Sequence, residues 1–127
     1  MAHGANPGAP TISTHVLDTE RGAPAVGVRV TLYRLSDDGR PLRLTQALTD
    51  ADGRVPDMLE RPMVAGTYRL EFDLADDADE VEADRATAAP ARLFRRISLD
   101  LQIADAARSY HVPLLLAPFS LTTYRGS

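Results

Sequence analysis

Ile97-Ser98-Leu99-Asp100-Leu101-Gln102-Ile103 alternates apolar and polar residues without a break. Successive side chains of a strand point to opposite faces, so this stretch reads as a strand with one face toward a core. The same period recurs on either side of it. Ile12, Thr14 and Val16 alternate with Ser13, His15 and Leu17 between Ile12 and Asp18. Val28, Val30 and Leu32 share a face between Val28 and Leu35, with Arg29, Thr31 and Tyr33 on the other. Tyr68, Leu70, Phe72 and Leu74 are in phase between Gly66 and Leu74. Leu42 to Thr49, Tyr110 to Ala117 and Phe119 to Tyr124 are further candidates. Glu20-Arg21-Gly22-Ala23-Pro24, Ser36-Asp37-Asp38-Gly39 and Asp50-Ala51-Asp52-Gly53 carry turn chemistry between them. Short strands at this spacing, with no sustained helical period, predict an all-β sandwich or barrel. Asp76 to Ala89 (DDADEVEADRATAA) has no alternation and is rich in acid and alanine. It reads as a short exposed helix and loop, about two to three turns long. Its carboxylates lack the glycine and the fixed spacing of a calcium loop.

A chain of 127 residues suits one domain with a real core. The reading is a disordered leader over residues 1–10 (MAHGANPGAP) and one domain over residues 11–127. The leader has neither the basic nor the apolar region of a secretory signal. The longest apolar stretch, Val112 to Ala117, is interrupted by Pro113 and is far too short for a bilayer. A cytoplasmic protein that uses neither membrane nor nucleic acid is therefore expected. The formal charge of −4 agrees, because a nucleic-acid footprint needs a basic face. It does not exclude a small anionic substrate, since one arginine can dominate a pocket. With no cysteine in the chain, disulfides, thiolate nucleophiles and zinc–thiolate sites are excluded.

Few residues remain that can move a proton near neutral pH. Of the three histidines, His3 lies in the leader, whereas His15 and His111 lie inside strands. Both sit opposite the apolar positions of their strands, where each could be plain polar surface. Imidazole is nevertheless the side chain whose ordinary pKa suits general acid–base work. Arg54 directly follows the Asp52-Gly53 turn. At a turn tip it is either solvated or able to hold an anion through its guanidinium fork. The last residues are also unusual, because strand-like sequence with Phe119, Leu121 and Tyr124 runs almost to Ser127. Pairing in a sheet is the least that such a tail implies.

Four segments now carry a resemblance. They are Ile12-Ser13-Thr14-His15-Val16-Leu17-Asp18, the turn Asp52-Gly53-Arg54, the strand Tyr110-His111-Val112-Pro113-Leu114-Leu115, and the terminal Tyr124-Arg125-Gly126-Ser127. In this order, from about Thr11 to Ser127, the chain resembles the 5-hydroxyisourate hydrolases, the transthyretin-related enzymes of urate breakdown. The resemblance implies a transthyretin-like (prealbumin-like) Greek-key sandwich of seven to eight strands, in two four-stranded sheets, with one short helix over Asp76 to Asp84. It also implies a homotetramer, a dimer of dimers whose active sites line a channel between the dimers. Partner subunits would then cover the strand faces that carry His15 and His111. The implied reaction opens the 5-hydroxyisourate ring by hydrolysis of a cyclic amide bond, with no metal or cofactor.

Carried over by motif, His15, Arg54, His111 and Ser127 would be catalytic. His15, Arg54, Tyr124, Arg125 and Gly126 would contact substrate. The chemistry is coherent, because amide hydrolysis needs an activated water and a stabiliser for the oxyanion. A neighbouring arginine would also help to keep a histidine neutral. Two alternatives have the same fold: a carrier of the transthyretin type, which binds a hydrophobic hormone without catalysis, and a repurposed paralogue. The carrier lacks the terminal tetrapeptide and the histidine pair with its arginine, all of which this chain has. Two departures from the family pattern lie away from the four motifs. Leu93-Phe94-Arg95-Arg96 stands where a Phe-Phe-Pro type of entry to the sixth strand is expected, and the acidic stretch before it is long. Both bear on the channel mouth and on subunit packing.

Overall fold

A computed structural model of the chain describes residues 9–74 and 92–126. Nine strands run through these residues: β1 (Ile12–Asp18), β2 (Ala23–Pro24), β3 (Arg29–Leu35), β4 (Pro41–Leu48), β5 (Arg54–Val55), β6 (Gly66–Asp73), β7 (Arg96–Ile103), β8 (Tyr110–Ala117) and β9 (Ser120–Thr123). The seven longer strands fall where alternation and turn chemistry predict them. The two others, β2 and β5, are two residues long, too short for any alternation to show. β2 lies inside the segment Glu20 to Pro24, which was expected to be turn throughout. The short helix expected over 76–84 and most of the leader lie outside the described residues.

Two sheets pack face to face. One has the order β4-β3-β6-β7, and the other β2-β1-β8-β9 with β5 also on β1. The second sheet thus has five strands rather than four, since β2 and β5 share one edge of β1 in succession. All pairings are antiparallel except that of β1 with β8. This parallel pair joins the two ends of the chain, aligning Ile12 with Tyr110 and Asp18 with Leu116.

The alternation decides what lies between the sheets. Ile12 and Val16 of β1, Val30 and Leu32 of β3, Tyr68, Leu70 and Phe72 of β6, and Leu114 of β8 are all buried there. Burial of such apolar side chains is the main favourable term in folding. The buried hydroxyls of Thr14 and Tyr68 have partners. The Thr14 hydroxyl donates to the carbonyl of Val112 at 2.6 Å, and the Tyr68 hydroxyl donates to that of Val64 at 2.8 Å. The β7 alternation is weaker than its sequence suggests. Ile97 and Ile103 are buried, whereas Leu99 and Leu101 are only partly so. β7 is the edge strand of its sheet, so the middle of its apolar face is left half-open. No helix among the described residues is long and apolar enough to cross a membrane.

The turn before β5 is built tightly against β1. Gly53 has φ 78°, and its carbonyl accepts from the Val16 amide at 2.7 Å. A Cβ at this position would lie 2.4 Å from the Val16 carbonyl oxygen. Gly39, in the β3–β4 turn, also has positive φ but faces open space. The two glycines separate backbone strain from steric overlap. Gly39→Ala is expected to cost about 1 kcal/mol of left-handed strain, and Gly53→Ala about 3 kcal/mol, because overlap with β1 adds to the same strain. Urea unfolding of both variants measures the difference; equal losses would show that the turn yields.

Candidate active site

Strand parity places His15 on the outer face of its sheet, away from Thr14 and Val16. The parallel register brings His111 to that same face, level with Ser13, while His15 is level with Pro113. The two imidazoles are diagonal neighbours on adjacent strands. On the other side of β1, antiparallel pairing sets Arg54 directly level with His15. Three chemistry-bearing residues, distant in sequence, thus meet on one exposed sheet surface.

Arg54 is held by the turn that precedes it. One carboxylate oxygen of Asp50 accepts from the amides of Asp52 and Arg54, each at 2.9 Å. The Asp50 amide donates to the Arg54 carbonyl at 2.9 Å, and the Gly53 amide to the Asp50 carbonyl at 2.8 Å. The amide of Arg54 is the main cause that holds the Asp50 carboxyl below its ordinary pKa, with smaller effects from the Arg54 and His15 charges. Asp50 thus stays ionised and keeps the turn closed.

The two imidazoles have different surroundings. His15 Nε2 lies 2.8 Å from the carbonyl oxygen of Asp52. A carbonyl can only accept, so Nε2 is a ring nitrogen that carries hydrogen. His111 Nδ1 lies 2.9 Å from the hydroxyl oxygen of Ser13. Burial, then the Arg54 charge and then His15, lower the pKa of His111 from the ordinary 6.5. These causes favour a neutral ring at pH 7.

The tail joins the same sheet. β9 pairs with β8 from Ala117–Ser120 to Leu114–Thr123, and a last bridge links His111 with Gly126. The Gly126 amide donates to the His111 carbonyl at 2.7 Å. Stepping three residues along both strands preserves the register, so Tyr124 comes level with Pro113 and Arg125 with Val112. Tyr124 therefore has the parity of the histidine face and is exposed. Arg125 has the opposite parity, and its guanidinium lies 4.5 Å from the Tyr110 ring centroid. Such a contact favours a fixed orientation of the tail. Gly126 packs against the imidazole itself, for a Cβ there would lie 2.7 Å from His111 Cδ2.

A cavity of about 480 Å³ lies to one side of this cluster, lined by β7 residues from Ser98 to Ile103 with Tyr110, Val112, Thr123, Tyr124 and Arg125. None of His15, Arg54 and His111 lines it. The chemistry sits on the sheet face, and the concavity sits between the edge of β7 and the tail.

The family model described as HIUase/Transthyretin family matches residues 12–126, spanning every one of these side chains. The chain belongs to that family. A 5-hydroxyisourate hydrolase of Deinococcus radiodurans is 43% identical over 122 residues, covering 94% of this chain and 98% of that protein. The solved structure of Klebsiella pneumoniae 5-hydroxyisourate hydrolase superposes with a TM-score of 0.71 at 33% identity, over 93% of this chain and 99% of that one. Sea bream transthyretin in complex with thyroxine matches with a TM-score of 0.74 at 25% identity, over 91% and 94% of the two chains. A protein named as a hydrolase and one solved in complex with thyroxine thus share this fold, and fold alone does not separate them.

Of the residues expected at the site, His15, Arg54 and His111 come together, with Tyr124 and Gly126 beside them. Arg125 is turned toward Tyr110, and Ser127 lies outside the described residues. Three contributors were not among the expected residues: Ser13, Asp50 and Gly53. Ser13 was legible in principle, since it shares the parity of His15. If Arg54 depresses the His111 pKa, Arg54→Ala should move the His111 titration midpoint upward toward 6.5 without reaching it, because burial remains. Proton NMR titration of the ring signals checks this; an unmoved midpoint would remove Arg54 from the site.

Proposed function

We propose that this protein hydrolyses 5-hydroxyisourate at a cyclic amide C–N bond, on the sheet face shared by His15, Arg54 and His111. The observation that carries the reading is the meeting of a neutral-biased imidazole with an arginine and a second imidazole, each held by backbone or hydroxyl partners. The closeness of the chain to proteins named 5-hydroxyisourate hydrolase supplies the substrate.

His111, kept neutral, takes a proton from water as the oxygen attacks the ring carbonyl. The carbonyl oxygen gains negative charge, which the Arg54 guanidinium stabilises. The tetrahedral intermediate collapses, the C–N bond breaks, and the imidazolium returns its proton to the leaving nitrogen. His15 presents Nδ1 to the face, where it accepts a hydrogen bond from a ring N–H and orients the substrate. Tyr124 contacts the ring, and Ser127 completes the site at the end of the tail. Arg125, turned to Tyr110, serves by fixing the tail rather than by touching substrate.

A flat sheet face cannot exclude water by itself, so we propose that a second copy covers it, in a homotetramer with a channel between dimers. The exposed apolar side chains Leu93 and Phe119, adjoining through the Leu93 amide and the Pro118 carbonyl, support such packing. The atypical Leu93-Phe94-Arg95-Arg96 entry lies at this point, so it bears on assembly rather than on the proton chemistry.

Urate with uricase generates the substrate in situ, and the protein should accelerate decay of its ultraviolet absorbance. No acceleration over the spontaneous rate would sink the hydrolase and favour a carrier or repurposed role. His111→Ala should lower kcat by about 10²- to 10⁴-fold and Arg54→Ala by about 10²- to 10³-fold, with the tetramer intact on sizing chromatography. Deleting Tyr124 to Ser127 should abolish turnover yet leave the sandwich folded. A fully active monomer would contradict the shared channel.

A further inference from the structure

The His111 imidazole is gripped on both flanks. Nδ1 faces the Ser13 hydroxyl on β1, and the Cδ2 edge lies against Gly126 of the tail. Cγ is tied to the backbone, so the free end of the ring is formed by Cε1 and Nε2. Turning the ring over would set a carbon against Ser13, lose the 2.9 Å hydrogen bond and exchange the atoms at the free end. One hydroxyl therefore decides which atom the ring presents.

We infer that Ser13 is the positioning residue for the working imidazole: its oxygen accepts the Nδ1–H of His111, leaving Nε2 unprotonated as the base. The inference rests on the hydrolysis proposed above. Its proton balance is closed. Nε2 gains the proton of water, the Nδ1–H bond to Ser13 persists in the imidazolium, and Nε2 then gives its proton to the leaving nitrogen. The bond to Ser13 strengthens when the ring is charged, because charge-assisted hydrogen bonds are the stronger ones. Ser13 is thus of most use where positive charge develops, as with the outer partners that fix the tautomer of other working histidines. A serine hydroxyl can donate as well as accept, so the contact fixes the ring's orientation, and the acceptor role assigned here is the one that leaves Nε2 unprotonated for the base.

The groups on the face of His111 are His15 on β1, Arg54 on β5, and Tyr124 and the uncharged Gly126 in the tail. Neither Arg54 nor His15 replaces Ser13 as the partner of Nδ1, since guanidinium has only donors and His15 lies level with Pro113, whereas Ser13 is level with His111. Loss of the hydroxyl removes an acceptor that favours the charged ring, so the His111 pKa falls further. The acid limb of the pH–rate profile accordingly moves to lower pH, on a lower plateau.

Nitrogen-15 correlation spectra of the intact protein read the tautomer directly. The wild type should show His111 protonated at Nδ1, and Ser13→Ala should shift the population toward the Nε2–H form. In the in-situ hydrolysis assay, Ser13→Ala should lower kcat by about 10- to 100-fold with KM changed by no more than about twofold. Ser13→Thr, which keeps the hydroxyl, should restore both tautomer and rate. An Nε2–H tautomer in the wild type, or an undiminished kcat in Ser13→Ala, would overturn the inference. If Ser13→Ala does not fold, the wild-type tautomer and a fully active Ser13→Thr bear it out; a different tautomer overturns it. A wild type without hydrolase activity would instead refute the proposed reaction, while the spectra alone would still decide whether Ser13 sets the ring.

Discussion

The parallel ladder between β1 and β8 is the constraint on which the site depends. It couples the two ends of the chain in one register, and that register sets Ser13 level with His111 and His15 level with Pro113. A one-residue slip of β1 would turn His15 into the core and bring Ile12 and Val16 out, and a slip of β8 would do the same to His111 and Leu114. Such a slip is opposed by Ile12, Val16 and Leu114, which lose their burial at the same moment. The hydrogen bond from the buried Thr14 hydroxyl to the Val112 carbonyl adds a polar penalty for any other alignment. Core packing and site geometry are thus set by one alignment.

On the far edge of β1, the Asp50 to Arg54 turn converts local chemistry into electrostatics. Asp50 closes the turn with its carboxylate, Gly53 permits the approach to Val16, and Arg54 emerges level with His15. Arg54 then acts on His111 across the width of β1, as a like charge that disfavours protonation. Burial acts in the same sense and is the larger influence. The same Asp52 carbonyl that belongs to the turn also takes the Nε2–H of His15, so one loop orients two of the three site residues.

The tail contributes from the opposite edge, and its two sides have separate roles. Tyr124 shares the histidine face, whereas Arg125 reaches over Tyr110 on the other side of the sheet. Gly126 lies against the imidazole, where any side chain would overlap the ring. A terminal segment without a sheet to join would be expected to fray. Here backbone pairing to β8 and the arginine–tyrosine contact give it a defined course.

Sequence by itself determined the all-β class, the seven longer strands and the faces of His15 and His111, because a period of two is written in adjacent residues and needs no partner. It determined the turns as well, since their glycine and aspartate chemistry is local. The two-residue strands, the five-stranded edge arrangement and the sideways turn of Arg125 needed the tertiary structure, being set by neighbours remote in the chain. The same holds for the partners of each imidazole. What each ring nitrogen meets depends on the Ser13 hydroxyl 98 residues before His111 and on the Asp52 carbonyl 37 residues after His15. Alternation shows which way a side chain points; only the folded register shows what it meets there.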